Sequence, residues 1–383
     1  MKLLSKQRKE GLLPPLKFII SGGGTGGHIF PAIAIANAIK KVAPDSEFLF
    51  VGANGRMEME KVPAAGYKIV GLNIAGLQRK LTLKNLSFPF KVIGSLMNAK
   101  KIFRDFKPDA AIGTGGYASG PMLRVASGKG IVTLIQEQNS FPGITNKILS
   151  KKVDRVCVAY DGMEKYFPKE KILFTGNPVR QDILDISGKQ AEAAEFFKIN
   201  PRKSTVLVIG GSLGAKTINE SILGGLKIFA NNNVQLIWQT GKSFFKSAEA
   251  GVIESGYKGM NVFDFISRMD LAYAAADVVV SRAGASSVSE LCIAQKPCIL
   301  VPSPNVAEDH QTKNAMALVN HKAARLVKDA DANSQLADEV MALVRNEREQ
   351  EELRTNISKL AVHNSADLIA SEVMSLLNKR KKQ

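Results

Sequence analysis

Short apolar runs that alternate with helical stretches are the feature that most constrains the fold of this 383-residue chain. Continuous Val, Ile and Leu runs, without strict alternation, are typical of strands covered on both faces. Strand–helix alternation at these lengths predicts parallel sheets built from βαβ units, an α/β fold. The first series of predicted strands is Leu16–Ser21, Phe48–Val51, Ala110–Gly113, Ile131–Gln136, Val153–Val158 and Ile172–Thr175. The second is Thr205–Ile209, Gln235–Gln239, Val278–Ser281, Cys298–Val301 and Arg325–Val327.

The two series predict two Rossmann-like domains. Each series opens with an apolar strand followed by a glycine loop, FIISGGGTGGHIFPA in the first and VLVIGGSLGAKTINE in the second. A chain of this length suits two domains of roughly 100–200 residues. We expect an N-terminal domain over residues 1–180 and a C-terminal domain over 181–359. A helix at about 360–383 is expected to pack back on the N-terminal domain.

The first glycine loop is suited to anion binding. Gly22, Gly24 and Gly27 match G-x-G-x-x-G between a predicted strand and helix. Such a loop brings backbone N–H groups and the positive end of a helix towards a phosphate. A dinucleotide site also needs an acidic residue at the end of the second strand, and residues 51–54 contain none. The sequence therefore disfavours NAD and predicts no cofactor.

The charge balance narrows the class of ligand. A net charge of +17, from 52 Lys+Arg against 35 Asp+Glu, favours polyanions. No RNP or zinc-finger signature is present, so we expect no nucleic acid as partner. Cys157, Cys292 and Cys298 lack metal-ligand spacing and are predicted to be reduced, buried thiols. We interpret Asp329-Ala330-Asp331 as a helix cap and expect no metal.

Seven glycine-rich or polar motifs follow the predicted strands, where open α/β sheets bind ligands. They are GGGTGGHIFPA, GTGGYASGP, EQN, GNPVR, GGSLGA, GASSVSE and DHQTKNA. In this order and spacing they resemble the MurG family of bacterial N-acetylglucosaminyltransferases, from about Lys17 onwards. The resemblance implies a GT-B fold, with two Rossmann-like parallel-sheet domains facing across a cleft. It implies inverting transfer of GlcNAc from UDP-GlcNAc to the C4 hydroxyl of MurNAc in lipid I (undecaprenyl-pyrophosphoryl-MurNAc-pentapeptide), giving lipid II for peptidoglycan.

The resemblance also implies which residues bind the donor. These are Thr25, Gly26, Gly27, Asn139 and Arg180 in the first half, and Ser212, Ile266, Ala285, Ser286, Ser287, Val288, Ser289, Glu290 and Gln311 in the second. Glu290 would accept the ribose hydroxyls, a role that suits an acceptor-only carboxylate. The serines of SSVSE have an alternative interpretation as a capping arrangement, with Ser286 or Ser287 as N-cap. For the acceptor diphosphate we choose the loop Gly113, Thr114, Gly115, Gly116 and Tyr117.

An inverting transfer needs a base for the acceptor hydroxyl and stabilisation of the departing UDP. His28 is the leading base, because histidine accepts protons near neutral pH and a helix N-terminus favours its neutral ring. Helix capping or phosphate binding by His28 is the alternative. Glu137 is the rival base or an orienting partner. Helix dipoles, loop N–H groups and Arg180 would stabilise the leaving group without a metal.

A segment in the first half is suited to a membrane surface. Residues 81–108 mix apolar residues with lysines, which suits the interface of an anionic inner leaflet, although a core helix with a charged face is also open. Phe88 and Phe90 are predicted to help docking, so that the enzyme would act peripherally at the cytoplasmic face of the inner membrane. Other cell-wall synthesis proteins are candidate partners. Two other functions stay open: a GT-B enzyme acting on another membrane lipid, and a non-catalytic regulator that binds a sugar nucleotide.

Overall fold

The structure, a computed structural model, describes residues 14–74, 88–211 and 213–381, and of residues 88–91 and 307 it describes the backbone only. The described chain divides into two compact units. Unit 1 contains residues up to Val179 and those from Asn364 onwards, and unit 2 contains Arg180–His363. We describe each unit by itself.

Unit 1 is built on a seven-stranded parallel sheet in the order β3-β2-β1-β4-β5-β6-β7. Its strands are β1 (Lys17–Gly22), β2 (Glu47–Ala53), β3 (Lys68–Leu72), β4 (Ala110–Gly115), β5 (Val132–Glu137), β6 (Arg155–Val158) and β7 (Ile172–Phe174). Its described α-helices are α1 (Gly26–Val42), α2 (Glu58–Ala64), α3 (Phe88–Phe106), α4 (Ser119–Gly128), α5 (Ile144–Ser150) and, at the end of the chain, α15 (Ser365–Arg380).

Unit 2 is built on a six-stranded parallel sheet in the order β10-β9-β8-β11-β12-β13. Its strands are β8 (Thr205–Ile209), β9 (Gln235–Gln239), β10 (Met260–Phe263), β11 (Val278–Ser281), β12 (Cys298–Leu300) and β13 (Arg325–Leu326). Its described α-helices are α6 (Gln190–Phe197), α7 (Lys216–Gly224), α8 (Leu226–Asn231), α9 (Phe245–Ser255), α10 (Met269–Ala275), α11 (Ala285–Ala294), α12 (His310–Val319), α13 (Ala332–Val344) and α14 (Glu347–Ser358).

The predicted parallel α/β architecture is confirmed, and each of the eleven predicted strands is present within two residues at either end. Two strands were not predicted, β3 and β10, and each lies at an edge of its sheet. Both are largely half-buried or exposed, as in Lys68–Leu72 with only Leu72 buried. Their sequences therefore lack the continuous apolar run on which the prediction depended.

The core of unit 1 lies on both faces of its sheet. Alternate residues of β1 belong to different clusters: Phe18 and Ile20 pack with α1, and Ile19 packs with α3 and α4. Helix α15 joins the α1 side through Ile369 and Val373, both fully buried. The end of the chain is therefore part of the core of unit 1.

The three cysteines are buried free thiols, as predicted. Burial raises the pKa of each of them, in the case of Cys292 to about 12. Among the helices in the described ranges, none combines the length and the apolar character needed to cross a membrane.

The strand orders define where ligands are expected. In each sheet the order reverses beside the first strand, between β1 and β4 in unit 1 and between β8 and β11 in unit 2. Loops that leave the carboxyl ends of such a strand pair turn to opposite faces and open a crevice. The loops after β1, β4, β8 and β11 are the glycine-rich segments found in the sequence.

Candidate functional site

His28 lies in the first turn of α1, directly after the first glycine loop. Thr25 is the N-cap residue, and its carbonyl accepts hydrogen bonds from the backbone N–H of His28 (3.1 Å) and Ile29 (3.2 Å). The Thr25 side chain is exposed and makes no capping hydrogen bond. His28 itself is half-buried. The chain therefore holds the imidazole at the carboxyl end of β1, beside a helix N-terminus.

The first glycine loop packs directly on the end of β4. Gly23 N–H donates to the Gly115 carbonyl (3.3 Å), and the Thr114 hydroxyl donates to the His28 carbonyl (2.8 Å). A Cβ on Gly115 would lie 2.8 Å from His28 Nδ1, and one on Gly116 would lie 3.0 Å from Gly23 N. Both glycines have positive φ, +100° and +85°. Only glycine therefore allows this approach, which seats the ring of His28 against β4.

The loop chosen for the acceptor diphosphate is divided by this packing. Gly113, Thr114 and Gly115 belong to buried β4, and the Thr114 hydroxyl is already used on His28. Gly116 is half-buried and Tyr117 is 49% exposed. The accessible part of the loop is its second half.

Glu137 organises the loop that follows β5. Its carboxylate is 2% exposed and accepts four hydrogen bonds: from the N–H (3.0 Å) and Nδ2 (3.2 Å) of Asn139, from Gly143 N–H (3.2 Å) and from Asn146 Nδ2 (2.9 Å). The imidazole of His28 instead contacts Gln138, with Nδ1 3.0 Å from Oε1. In this structure Glu137 positions Asn139, and its role as a base stays a prediction.

Glu58 is a buried carboxylate beside the first glycine loop that the sequence analysis missed. It is 1% exposed, and it accepts hydrogen bonds from Gly24 N–H (2.8 Å) and Ala53 N–H (2.9 Å). Its side chain fills the space next to Gly23 and Gly52, where neither residue has a Cβ. An acidic group does stand near the end of β2, but backbone N–H groups already use both of its oxygens.

In unit 2 the central group is Glu290, on α11. Its side chain is 12% exposed and contacts Arg180 Nε at 3.2 Å and Nη2 at 3.5 Å. Tyr273, fully buried on α10, donates its hydroxyl to the second carboxylate oxygen at 3.2 Å. Burial raises the pKa of Glu290 and outweighs the opposing effect of Arg180. Burial and the neighbouring Glu290 raise the pKa of Tyr273 well above its ordinary value, so that its hydroxyl remains a donor.

The turn Ala285–Ser289 is the first part of α11. The N-cap residue is Gly284, so the capping interpretation of Ser286 and Ser287 is wrong, because the helix begins one residue before them. Ser289 Oγ donates to the Ala285 carbonyl (3.0 Å), and Val288 is buried in the core. Ser286 Oγ is buried without a hydrogen-bond partner among the described residues. A buried hydroxyl and a helix N-terminus together form an environment that favours an anion.

The other predicted donor residues lie at further strand ends of unit 2. The Ile266 N–H donates to Gln239 Oε1 at 2.8 Å, and Gln311 Oε1 accepts from Ser303 N–H at 2.9 Å. Just before Gln311, Glu308 and Asp309 adopt left-handed backbone conformations with φ of 55° and 52°. Non-glycine residues adopt left-handed conformations only at a cost in backbone strain. Ser212 lies outside the described residues.

Asp329 does not cap a helix. Its carboxylate pairs with Arg282 and accepts a hydrogen bond from the Thr217 hydroxyl at 3.0 Å. Asp331 occupies the N-cap position of α13 but makes no capping hydrogen bond with its side chain. Within the described ranges, no three His, Cys, Asp or Glu side chains are grouped as metal ligands would be.

The structure brings the predicted residues together in two groups. In unit 1, residues 25–28 lie against the Gly113–Tyr117 loop. In unit 2, Arg180 joins Glu290, although the predicted boundary assigned Arg180 to the first domain. Gln138, Glu58 and Tyr273 were missed, because their contacts link segments that no local sequence pattern connects.

Family models match both halves of the chain. The glycosyltransferase family 28 N-terminal domain matches residues 18–158, and the glycosyltransferase family 28 C-terminal domain matches residues 205–370. A protein of Phocaeicola vulgatus is 56% identical, over 96% of this chain and 98% of its own length. One of Flavobacterium psychrophilum is 54% identical, over 95% and 99%. Both are named UDP-N-acetylglucosamine–N-acetylmuramyl-(pentapeptide) pyrophosphoryl-undecaprenol N-acetylglucosamine transferase.

Solved structures agree with this relationship. The crystal structure of Acinetobacter baumannii MurG has a TM-score of 0.77 and 27% identity, covering 94% of this chain and all of that one. The UDP-GlcNAc 2-epimerase of Neisseria meningitidis, bound to UDP-GlcNAc, has a TM-score of 0.65 at 14% identity, with 94% and 100% covered. The second similarity concerns the fold alone.

We expect Gly116→Ala to destabilise unit 1 more than Gly66→Ala does. The two glycines have nearly equal φ, +85° and +82°, but a Cβ on Gly66 would meet open space. Gly66→Ala should therefore cost only backbone strain of about 1 kcal/mol. Gly116→Ala should cost a further ~1–3 kcal/mol, because its Cβ collides with the backbone of Gly23. Native-state amide hydrogen exchange in unit 1 measures both, and equal losses would contradict the packing argument.

Proposed function

The chain belongs to glycosyltransferase family 28, and we propose that it transfers N-acetylglucosamine from UDP-GlcNAc to the MurNAc of lipid I, giving lipid II. The observation that carries this proposal is the similarity to two transferases of that name. They are 56% and 54% identical to this chain, and the alignments cover nearly its full length. The two parallel-sheet units support it, as do the glycine-rich loops where the strand order of each sheet reverses. The reaction is proposed to invert the configuration at the transferred sugar.

We place the nucleotide at unit 2. Glu290 offers a carboxylate that can accept both ribose hydroxyls, and Tyr273 holds one of its oxygens. The start of α11, with the Ser286 hydroxyl, suits the diphosphate. Arg180 uses Nε and Nη2 on Glu290, and the N–H donors of its Nη1 are suited to a phosphate oxygen. This arrangement would stabilise the charge that develops on the departing UDP.

We assign the base to His28 rather than to Glu137. The imidazole is half-buried against Gly115, directly before the accessible part of the Gly113–Tyr117 loop, which we propose receives the diphosphate of lipid I. To take a proton, Glu137 would have to lose a hydrogen bond from Asn139 at Oε1, or one from Gly143 or Asn146 at Oε2. Its proposed role is to hold Asn139 in place.

We further propose that the enzyme acts peripherally at the anionic inner leaflet of the membrane, because its acceptor is a lipid. On α3, Ile93 is 56% and Met97 66% exposed, and Lys100 and Arg104 follow on the same face. Apolar side chains beside cations suit a membrane interface with anionic lipid. The side chains of Phe88 and Phe90, predicted earlier for this role, lie outside the described residues.

We expect two variants to separate catalysis from donor binding. His28→Ala should lower kcat by about 10²–10⁴-fold with unchanged UDP-GlcNAc affinity, because it removes a general base. Glu290→Ala should weaken UDP-GlcNAc binding by about 10–100-fold, because it removes hydrogen bonds to a charged group. UDP release with a lipid I analogue and calorimetric titration of UDP-GlcNAc measure the two effects. Turnover retained by His28→Ala would favour a different base.

The same assays distinguish the two alternative functions. A protein that binds UDP-GlcNAc but never turns over lipid I would be a regulator. Turnover only with a different lipid acceptor would indicate a GT-B enzyme that acts on that lipid.

We expect UDP-GlcNAc binding to depend on the ionisation of Glu290. Burial raises the pKa of Glu290. As the pH is lowered, its carboxylate is therefore protonated earlier than that of an exposed glutamate. The affinity for UDP-GlcNAc should therefore fall as the pH drops through this raised pKa. Tyr273→Phe removes a hydrogen bond that lowers the pKa of Glu290, so the fall should start at still higher pH. Calorimetric titrations across the acidic range test this, and Glu290→Gln should bind weakly with that dependence removed.

The membrane proposal predicts that the pair Ile93→Glu and Met97→Glu weakens binding to anionic vesicles by at least about tenfold, since burial of one large apolar side chain contributes ~1.5–3 kcal/mol. Ile253→Glu is the matched control, because Ile253 is 74% exposed on α9 in unit 2. Cosedimentation with vesicles containing anionic lipid measures the change. The proposal fails if the paired variant binds as well as Ile253→Glu.

A further inference from the structure

The side chain of Gln138 connects His28 to buried backbone. Gln138 follows the last residue of β5 and is 1% exposed. Its Oε1 lies 3.0 Å from His28 Nδ1, and its Nε2 donates to the carbonyls of Thr114 (2.7 Å) and Gln136 (3.2 Å). None of the donor or acceptor roles described above includes this residue.

The direction of the Gln138 amide is fixed by chemistry. A backbone carbonyl oxygen can only accept a hydrogen bond, so the amide nitrogen must face Thr114 and Gln136. The amide oxygen must then face His28. An exchange of the two atoms would place an oxygen against two carbonyl oxygens in a buried site, which is strongly unfavourable.

A second series of hydrogen bonds supports the same orientation of the Gln138 amide. Asn177 Nδ2 donates to the Gln138 backbone carbonyl (2.9 Å), and Asn177 Oδ1 accepts from Gln136 Nε2 (2.8 Å). The side-chain oxygen of Gln136 is therefore an acceptor, and it contacts Nε2 of Gln138. The side-chain amides of Asn177, Gln136 and Gln138 thus form one chain of hydrogen bonds. It starts at the Gln138 backbone carbonyl and ends with the Gln138 amide oxygen facing His28.

An amide oxygen facing Nδ1 requires a proton on Nδ1. We propose that Gln138 is a positioning residue that fixes the Nδ1–H tautomer of His28 and leaves the lone pair on Nε2. Gly115 supports this geometry, because the absence of a Cβ allows the Nδ1 edge of the ring to lie against β4. The Thr114 hydroxyl fixes the backbone of His28 from the same strand.

The tautomer matters for the proposed function, on which the catalytic part of this inference rests. The Nε2 lone pair takes the proton of the acceptor hydroxyl as that oxygen bonds to C1 of N-acetylglucosamine. The C1–O bond to the diphosphate breaks, and its electron pair leaves on UDP. With Nε2 already protonated, the ring could not accept this proton. The Gln138 oxygen keeps its hydrogen bond to Nδ1–H throughout.

Long-range ¹H–¹⁵N correlation of the imidazole nitrogens tests the tautomer directly. The chain has four histidines, so the signals missing from His28→Ala identify those of His28. At about pH 8 we expect Nδ1–H in the wild type, and a mixture with Nε2–H in Gln138→Met. The kcat of Gln138→Met should fall at least about tenfold with the affinity for UDP-GlcNAc unchanged, because a well-placed base contributes about 10²–10⁴-fold.

Gln235→Met is the matched control. Gln235 is a buried glutamine in unit 2 whose amide also bonds to backbone, at Asn200. This variant should keep both the tautomer and kcat. An Nε2–H tautomer in the wild type, or an unchanged one in Gln138→Met, overturns the inference, as does an equal loss of kcat in Gln235→Met. If the tautomer shifts as expected but His28→Ala retains its kcat, the assignment to Gln138 stands and the base in the proposed function is wrong.

Discussion

The contact between the first glycine loop and the end of β4 is the constraint on which the site in unit 1 depends. Gly115 and Gly116 both have positive φ, and a Cβ on either would collide with the His28 ring or with the Gly23 backbone. Gly23 can then donate a backbone hydrogen bond to Gly115, and the imidazole of His28 lies 3.0 Å from Gln138. A side chain at either glycine would push the helix that carries His28 away from β4. Glycine therefore acts here by allowing the two loops to approach each other closely.

The group around Glu290 illustrates a second constraint. Placing a carboxylate at 12% exposure costs desolvation energy, and the pKa of Glu290 is raised in spite of Arg180. Buried ion pairs contribute little to net stability when desolvation is counted. A site built on such a pair is better explained by what it recognises, and perturbed carboxyl groups cluster at functional sites. Ser286 lies on the same helix as Glu290, and its buried hydroxyl has no partner among the described residues. This also favours a role in recognition.

Sequence patterns predicted the strands that are buried on both faces and missed β3 and β10, whose edge positions remove the apolar signal. The glycine loops could be located because glycine-rich segments directly after predicted strands are visible in the local sequence. Gln138 and Tyr273 could not, since each acts through a single contact to a residue far away in the chain, His28 or Glu290. Asp329 shows the converse error: a local capping pattern gave way to an ion pair with Arg282. Side-chain partnerships across the sheet depend on the folded topology, which local periodicity does not encode.

The two units share a strand order and use it differently. In unit 1 the space beside the end of β2 is occupied by Glu58, whose oxygens are bonded to Gly24 and Ala53. A dinucleotide site would need a free carboxylate there for the ribose. In unit 2 the loop after β8 packs on the backbone that follows β9, since a Cβ on Gly214 would collide with the Thr240 carbonyl. The carboxylate proposed to bind the ribose, Glu290, instead lies on the helix after β11, and β11 neighbours β8 on the side opposite β9. The same strand order thus carries the proposed base on the helix after β1 in unit 1 and the proposed ribose acceptor on the helix after β11 in unit 2.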